Sequence, residues 1–193
     1  MPTLVPRLIL ASASPRRARI LEALGVPFVV RPANVDETLL PGEDGASAAE
    51  RLARAKAAAI ADPGALPVLA ADTLVLCEGR ILGKPGSTSE AEAMLRALQD
   101  RVHEVVTGVC LVSAGRSHAG LERTRVRFTP MSDAEIAAYV ATGEPMDKAG
   151  AYHIDGRGAL YVQGIDGSPS NVAGLPVALV HRLARTAGIA LFP

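Results

Sequence analysis

Residues 68–77 read Val-Leu-Ala-Ala-Asp-Thr-Leu-Val-Leu-Cys. Apart from Asp72 and Thr73 the run is apolar, with no alternation of polar and apolar positions. It therefore reads as a strand covered on both faces and not as one half-exposed to water. Such a strand needs apolar cover on each side, and the flanking sequence offers helices. Before it, Ser47 and Glu50 have the spacing of a capping box and open a helix expected to run to about residue 61. After it, a turn at Glu78-Gly79 leads into a short strand. Ser87 with Glu90 then repeats the capping pattern, and Ala91, Met94, Leu95 and Leu98 give a helical apolar face.

The same alternation continues outward in both directions. Residues 7–11 and 28–31 read as strands around a helix that Ser14 caps, with Pro15 at its first position and Gly25 closing it. Residues 34–45, rich in acids with prolines and glycines, read as a loop. Downstream, 103–113 and 121–129 are strands, and in the second Arg123, Arg125 and Arg127 alternate with Thr124, Val126 and Phe128, leaving one face solvated. Ser132 and Glu135 open a helix over Ile136, Tyr139 and Val140. Two strands are expected to flank Gly156-Arg157-Gly158, and a last helix to span about 176–186. This mixed order predicts one α/β domain over residues 1–193, built on a mixed β-sheet with flanking helices.

Composition narrows the function. The 193 residues carry 20 basic and 20 acidic side chains, so no net charge favours nucleic acid or a membrane surface. No apolar run is long enough for a membrane-spanning helix. Residues 8–14 could pass for the apolar part of a leader, but Pro6 and Arg7 cut it short and its strongest charges follow it, which points to a strand in a cytoplasmic protein. Cys77 and Cys110 lie in apolar strand-like runs and read as free buried thiols. Without Trp, and with three Tyr and three Phe, an aromatic platform for single-stranded nucleic acid is disfavoured.

Three familiar signatures fail. Gly79 to Pro85 lacks one residue of a phosphate-binding P-loop and has Pro85 where a metal-binding hydroxyl belongs. Gly115 to Ala119 lacks the last glycine of a nucleophile elbow. Gly156-Arg157-Gly158 does not open a helix of the dinucleotide-binding kind. What remains is a set of charges in unexpected places. Ser12, Ser14, Arg16 and Arg17 stand where a strand meets a helix N-terminus, a site that favours anions, and arginines there oppose the helix dipole unless an anion is bound. Asp72 interrupts the buried strand and needs a cation, a metal or several N–H donors. Lys56 falls between Leu52 and Ile60 on the apolar face of its helix, whereas Arg51 and Arg54 point away. Asp36-Glu37 is an acidic pair in a loop, and Lys84 is held between a glycine and a proline. Lys56, Lys84 and Lys148 are the lysines among 20 basic residues, the rest being arginine. Carboxylates for a divalent metal and cations for a polyphosphate are together what phosphoanhydride hydrolysis requires.

The ordered motifs LILASASPRR (8–17), the Asp36-Glu37 loop, ERLARAKA (50–57), AADT (70–73), GKP (83–85), HEVVTGV (103–109), DKAGAY (147–152) and NVAGLP (171–176) resemble the Maf family over almost the whole chain. The resemblance implies a nucleotide pyrophosphatase related in fold to the inosine triphosphate pyrophosphatases, two-lobed with a central cleft, homodimeric, and dependent on a divalent metal cation such as Mg2+ or Mn2+. It places Ser12, Arg17, Lys56 and Lys84 around the triphosphate. Asp72 would be the catalytic base and a metal ligand, and Glu37 a second metal-side carboxylate. The branch acting on dTTP and UTP carries Arg, Thr and Gln at three base-selecting positions; this sequence has Arg16, Thr73 and Asp155. Arg16 beside a cationic 7-methylguanine would be repulsive, which argues against the 7-methyl-GTP branch. Asp155 accepts hydrogen bonds but cannot donate them when ionised, so its base contact differs from that of Gln. A nucleotide-sensing regulator of septum formation is the alternative from another class; it would dispense with Asp72, which is present.

Overall fold

The computed structural model describes residues 5–60 and 64–191. In chain order they form β1 (Leu8–Leu10), α1 (Pro15–Ala23), β2 (Phe28–Val30), α2 (Gly45–Ala58), β3 (Val68–Cys77), β4 (Arg80–Leu82), α3 (Thr88–Leu98), β5 (Val102–Ser113), β6 (Arg116–Phe128), α4 (Asp133–Ala141), β7 (Val162–Asp166), α5 (Pro169–Val172) and α6 (Val177–Thr186). Three 3-10 turns, Glu144–Asp147, Ala149–Ala151 and Arg157–Tyr161, fill the stretch between α4 and β7. Hydrogen-bonded strands follow the order β2-β1-β3-β5-β6-β7, with β4 on β3. β1 pairs in parallel with β2 and β3, whereas β4 on β3 and β7 on β6 are antiparallel, so the sheet is mixed as the sequence predicts. No helix among the described residues is long and apolar enough to cross a membrane.

The chain divides into two compact units, and it passes between them after residues 72, 106, 122 and 173. In the first unit, β1 and the first half of β3 are covered on both faces. Leu8, Leu10, Leu69 and Ala71 pack with Leu21, Leu175, Leu179, Val180 and Leu183, so α1 and α6 cover that side. Ile9, Ala11, Val68 and Ala70 pack with Ala53 and Ala57 of α2 on the other. This double cover is why residues 68–71 show no polar alternation. α2 lies so close to β5 that a Cβ at Gly108 would fall 2.3 Å from the Ala49 carbonyl oxygen; only glycine permits that approach. The second unit has its own core, in which Ala91, Met94, Leu95 and Leu98 of α3 meet Ile136, Tyr139 and Val140 of α4, together with Val105, Val126, Phe128 and Tyr152.

Several local expectations are corrected. α2 starts at Gly45, two residues before Ser47, because Asp44 is the N-cap: its carboxylate accepts from the Ala46 and Ser47 amides. Ser47 instead donates its hydroxyl to Asp44, and Glu50 pairs with Arg54. An acid three residues ahead thus outcompetes the Ser47–Glu50 pattern. Ser87 does cap α3, but Glu90 reaches back to the Gly86 amide. Ser132 and Glu135 form the full reciprocal box. Ser14 is the N-cap residue of α1 without a side-chain bond. β6 begins at Arg116, not at 121, after a turn in which Ala114 and Gly115 both have positive φ. No strand precedes Gly156-Arg157-Gly158; a 3-10 turn starts there, and β7 follows. α2 ends at Ala58 with Ala59 as its C-cap, short of the expected end near residue 61, which itself lies outside the described residues.

Candidate active site

In the first unit, the turn between β1 and α1 is held by side chains that fold inward. Ser12 is buried and its Oγ accepts from the Ser14 amide at 3.2 Å. Arg17, also buried, donates from one terminal nitrogen to Ser12 Oγ at 3.0 Å and from Nε to the Gly174 carbonyl at 2.8 Å. Its guanidinium is therefore turned into the protein and held by Ser12 and Gly174. Burial lowers its pKa, Asp72 and Glu37 oppose that shift, and the neighbouring Arg16 adds to it. Gly174 sits at φ 100°, a backbone state open mainly to glycine, and it is the residue that presents the carbonyl to Arg17.

Asp72 ends the first unit's part of β3, and its side chain is buried. Lys56, on the inward face of α2, donates from Nζ to Asp72 Oδ1 at 2.5 Å and stands 2.6 Å from Glu37 Oε1. Asp72 and Lys56 are both desolvated, whereas Glu37 is half exposed in the loop between β2 and α2. Burial pushes the Asp72 carboxyl above the ordinary aspartate range. The Lys56 charge and hydrogen bond and the Arg17 charge pull it back only in part, and Glu37 pushes it further up. The predicted inward placement of Lys56 is thus observed, with two carboxylates converging on one ammonium. A raised, buried carboxyl flanked by cations is how proteins set up a base at a reactive site.

Of the other sequence-predicted residues, all but Arg16 belong to the second unit. Thr73 follows Asp72 in β3 and is partly buried. Lys84 is exposed, on a turn whose preceding residue, Gly83, accepts from the Gly150 amide at 3.0 Å. Gly150 itself packs against Val75, which a Cβ there would meet at 2.9 Å. Asp155 is exposed on residues 153–158. Lys148 is buried and paired with Asp147. Arg16, in the first unit, is partly buried beside Arg17.

Sequence reasoning missed two contributors. Gly174 lies within the NVAGLP motif, but nothing in its side chain could reveal that its carbonyl serves Arg17. Glu144, after α4, also went unmarked. Its carboxylate accepts from Tyr139 Oη at 2.8 Å and from the Arg157 and Gly158 amides at 3.1 and 3.2 Å. Burial would raise its pKa, yet these hydrogen bonds outweigh it and hold the carboxyl below the usual glutamate range.

The first unit thus gathers a buried arginine at a strand-to-helix turn and a lysine that bridges Asp72 of β3 and Glu37 of the loop before α2, a set of charges suited to a polyanion. The chain belongs to the Maf-like proteins, whose family model matches residues 7–187. It is 52 % identical over 187 residues to the dTTP/UTP pyrophosphatase of an Anaeromyxobacter species, covering 94 % of this chain and 90 % of that one. It is 51 % identical over 187 residues to the dTTP/UTP pyrophosphatase of Moorella thermoacetica, covering 95 % and 96 %. Among solved structures, the Staphylococcus aureus Ham1 protein is a partial likeness, with 17 % identity and a TM-score of 0.45 over 63 % of this chain and 71 % of that one.

Proposed function

We propose that this protein hydrolyses nucleoside triphosphates, dTTP and UTP foremost, to the monophosphate and pyrophosphate. The observation that carries the reading is the Lys56 ammonium held between Asp72 and Glu37, with Arg17 coupled to the same carboxylates. Water attacks the α-phosphorus while the bond to the bridging oxygen of the β-phosphate breaks, and pyrophosphate leaves with the charge. Asp72 orients the water and takes its proton; its raised basicity suits that task. Ser12, Arg17, Lys56 and Lys84 bind the phosphates and neutralise charge that grows on the leaving group. Arg16, Thr73 and Asp155 select the base, and the fixed charge of Arg16 disfavours 7-methylguanine.

Glu37 and Asp72 are hard oxygen donors that already share one cation, Lys56, which fits a divalent metal such as Mg2+ or Mn2+. Among the described residues no three metal-ligating side chains gather, so two carboxylates would need substrate oxygens to complete the shell, as is usual for Mg2+. When bound, the metal supplies charge neutralisation at the phosphates. Residues 1–193 are read as one domain, since the family match spans both units. A homodimer follows from the family resemblance. A cytoplasmic location, without nucleic-acid or membrane partners, agrees with balanced charge and two buried free thiols.

The test is incubation with a panel of nucleoside triphosphates and Mg2+ or Mn2+, with nucleotide products and pyrophosphate resolved. Monophosphate plus pyrophosphate is expected, fastest from dTTP and UTP. Diphosphate plus orthophosphate as the products would overturn the assignment.

A further inference from the structure

Residues 153–158 carry Asp155 on an exposed turn, yet the turn is tied down at both ends by one pair of side chains, the buried Tyr139 and the partly buried Glu144. At its start the His153 amide donates to Tyr139 Oη at 3.0 Å. At its end the Arg157 and Gly158 amides donate to the two oxygens of Glu144. The Tyr139 hydroxyl in turn donates to Glu144 Oε1, so a single chain of hydrogen bonds closes the turn into a loop. The packing is close. A Cβ at Gly156 would lie 2.6 Å from Glu144 Oε2, and one at Gly158 would lie 2.8 Å from Tyr139 Oη, so both glycines are required for the carboxylate and phenol to reach the backbone. Tyr139 is buried in the second unit's core, which makes the anchor rigid, and Glu144 follows directly on the turn that closes α4.

We infer that Glu144 and Tyr139 are positioning residues that set base selectivity by fixing the 153–158 turn and hence the place of Asp155. The inference rests on the proposed base-selecting role of Asp155. A group that discriminates between bases works only if held to within a fraction of an ångström, and a carboxylate that satisfies two amides and a phenol is a device for that purpose. The hydrogen bonds that tie Glu144, Tyr139 and the turn together all lie within residues 139–158 of the second unit, so their loss is expected at the base end of the substrate.

The experiment compares the parent with Glu144→Ala, Tyr139→Phe and Asp155→Gln. It reads kcat and KM for dTTP, UTP, CTP and GTP, and the inhibition constant of inorganic tripolyphosphate, which has phosphates but no base. For Glu144→Ala the preference for dTTP over GTP falls about 10-fold, through KM, while kcat and the tripolyphosphate constant stay within about 2-fold. Tyr139→Phe, which removes one hydroxyl and nothing else, shifts the preference the same way by about 3-fold and carries the test should Glu144→Ala fail to fold. Asp155→Gln changes the preference as well, towards dTTP and UTP. If Asp155→Gln shifts selectivity but the anchor variants do not, or if tripolyphosphate binding weakens together with KM, the positioning role is refuted. If no variant, Asp155→Gln included, moves any ratio, the base-selecting role of Asp155 falls and this inference with it.

Discussion

Asp72→Asn separates two roles that a buried carboxylate can play. If Asp72 is a structural tie, losing its charge loosens the fold; if it is a base kept ionised against its surroundings, losing the charge relieves the fold and stops the chemistry. The structure favours the second outcome. Burial raises the Asp72 pKa despite Lys56 at 2.5 Å and the charge of Arg17. A carboxyl whose folded pKa exceeds its unfolded value contributes stability below the unfolded value, near 3.8, and loses it as pH rises through the folded value. At neutral pH the ionised group is therefore a net cost, and asparagine imitates the protonated form. Its Oδ1 still accepts from Lys56 Nζ, which also keeps Glu37 at 2.6 Å and is not stranded. The expected change is a gain in stability at pH 7, read as a rise in Tm. The gain should shrink as pH falls towards the unfolded value, because protonation of the parent carboxyl removes the same cost. Turnover should fall by about 10²-fold or more, the usual scale for losing a general base. Thermal denaturation at pH 7 and pH 4, beside kcat for dTTP, makes the comparison. A fall in Tm of more than about 4 °C at pH 7, or turnover within a few-fold of the parent, would refute the reasoning.

Two further outcomes follow from the packing. Gly108→Ala places a methyl 2.3 Å from the Ala49 carbonyl and 2.6 Å from the Glu50 amide, backbone that only a shift of α2 can move; a loss of about 3 kcal/mol is expected by denaturant unfolding, together with reduced turnover because α2 carries Lys56. His103 is buried against Phe128 and Tyr152, and burial holds its pKa down at about 4 against 6.5. A His kept neutral in the fold contributes stability above the unfolded value that is lost as pH falls through the folded one, here by about 3 kcal/mol between pH 7 and pH 4. His103→Gln should remove that share of the acid loss in urea titrations at the two pH values; an unchanged pH dependence would show that His103 does not titrate with unfolding.

The parts of the site that were legible in the sequence are those where a residue violates its surroundings. Asp72 interrupts an apolar strand, and Lys56 lies on the apolar side of α2; each needs a partner, and each proves to be the other's. Arg17 was legible as misplaced, but its partners were not, because one is a backbone carbonyl 157 residues away. The Glu144 anchor left no trace for a similar reason. It binds amides, and amides are the same in every residue. The capping pattern at Ser47 failed where a stronger acceptor, Asp44, stood within reach, and the strand expected before Gly156 gave way to a turn over 153–158 that the Tyr139–Glu144 anchor holds.

The repeated passage of the chain between the two units sets an order on their completion during synthesis. Every segment of the second unit lies between residues 73 and 173, whereas the first unit also needs 174–191. Those late residues supply Leu175, Leu179, Val180 and Leu183 to the core around β1, and Gly174 to the side chain of Arg17. A ribosome therefore delivers the whole of the second unit before it delivers the last wall of the first. The segments made earliest, with Leu8, Leu10 and Leu69 still uncovered on one side, are the last to be sealed. Arg17 acquires its carbonyl partner only with Gly174, and the core around β1 its last cover with α6 just after it.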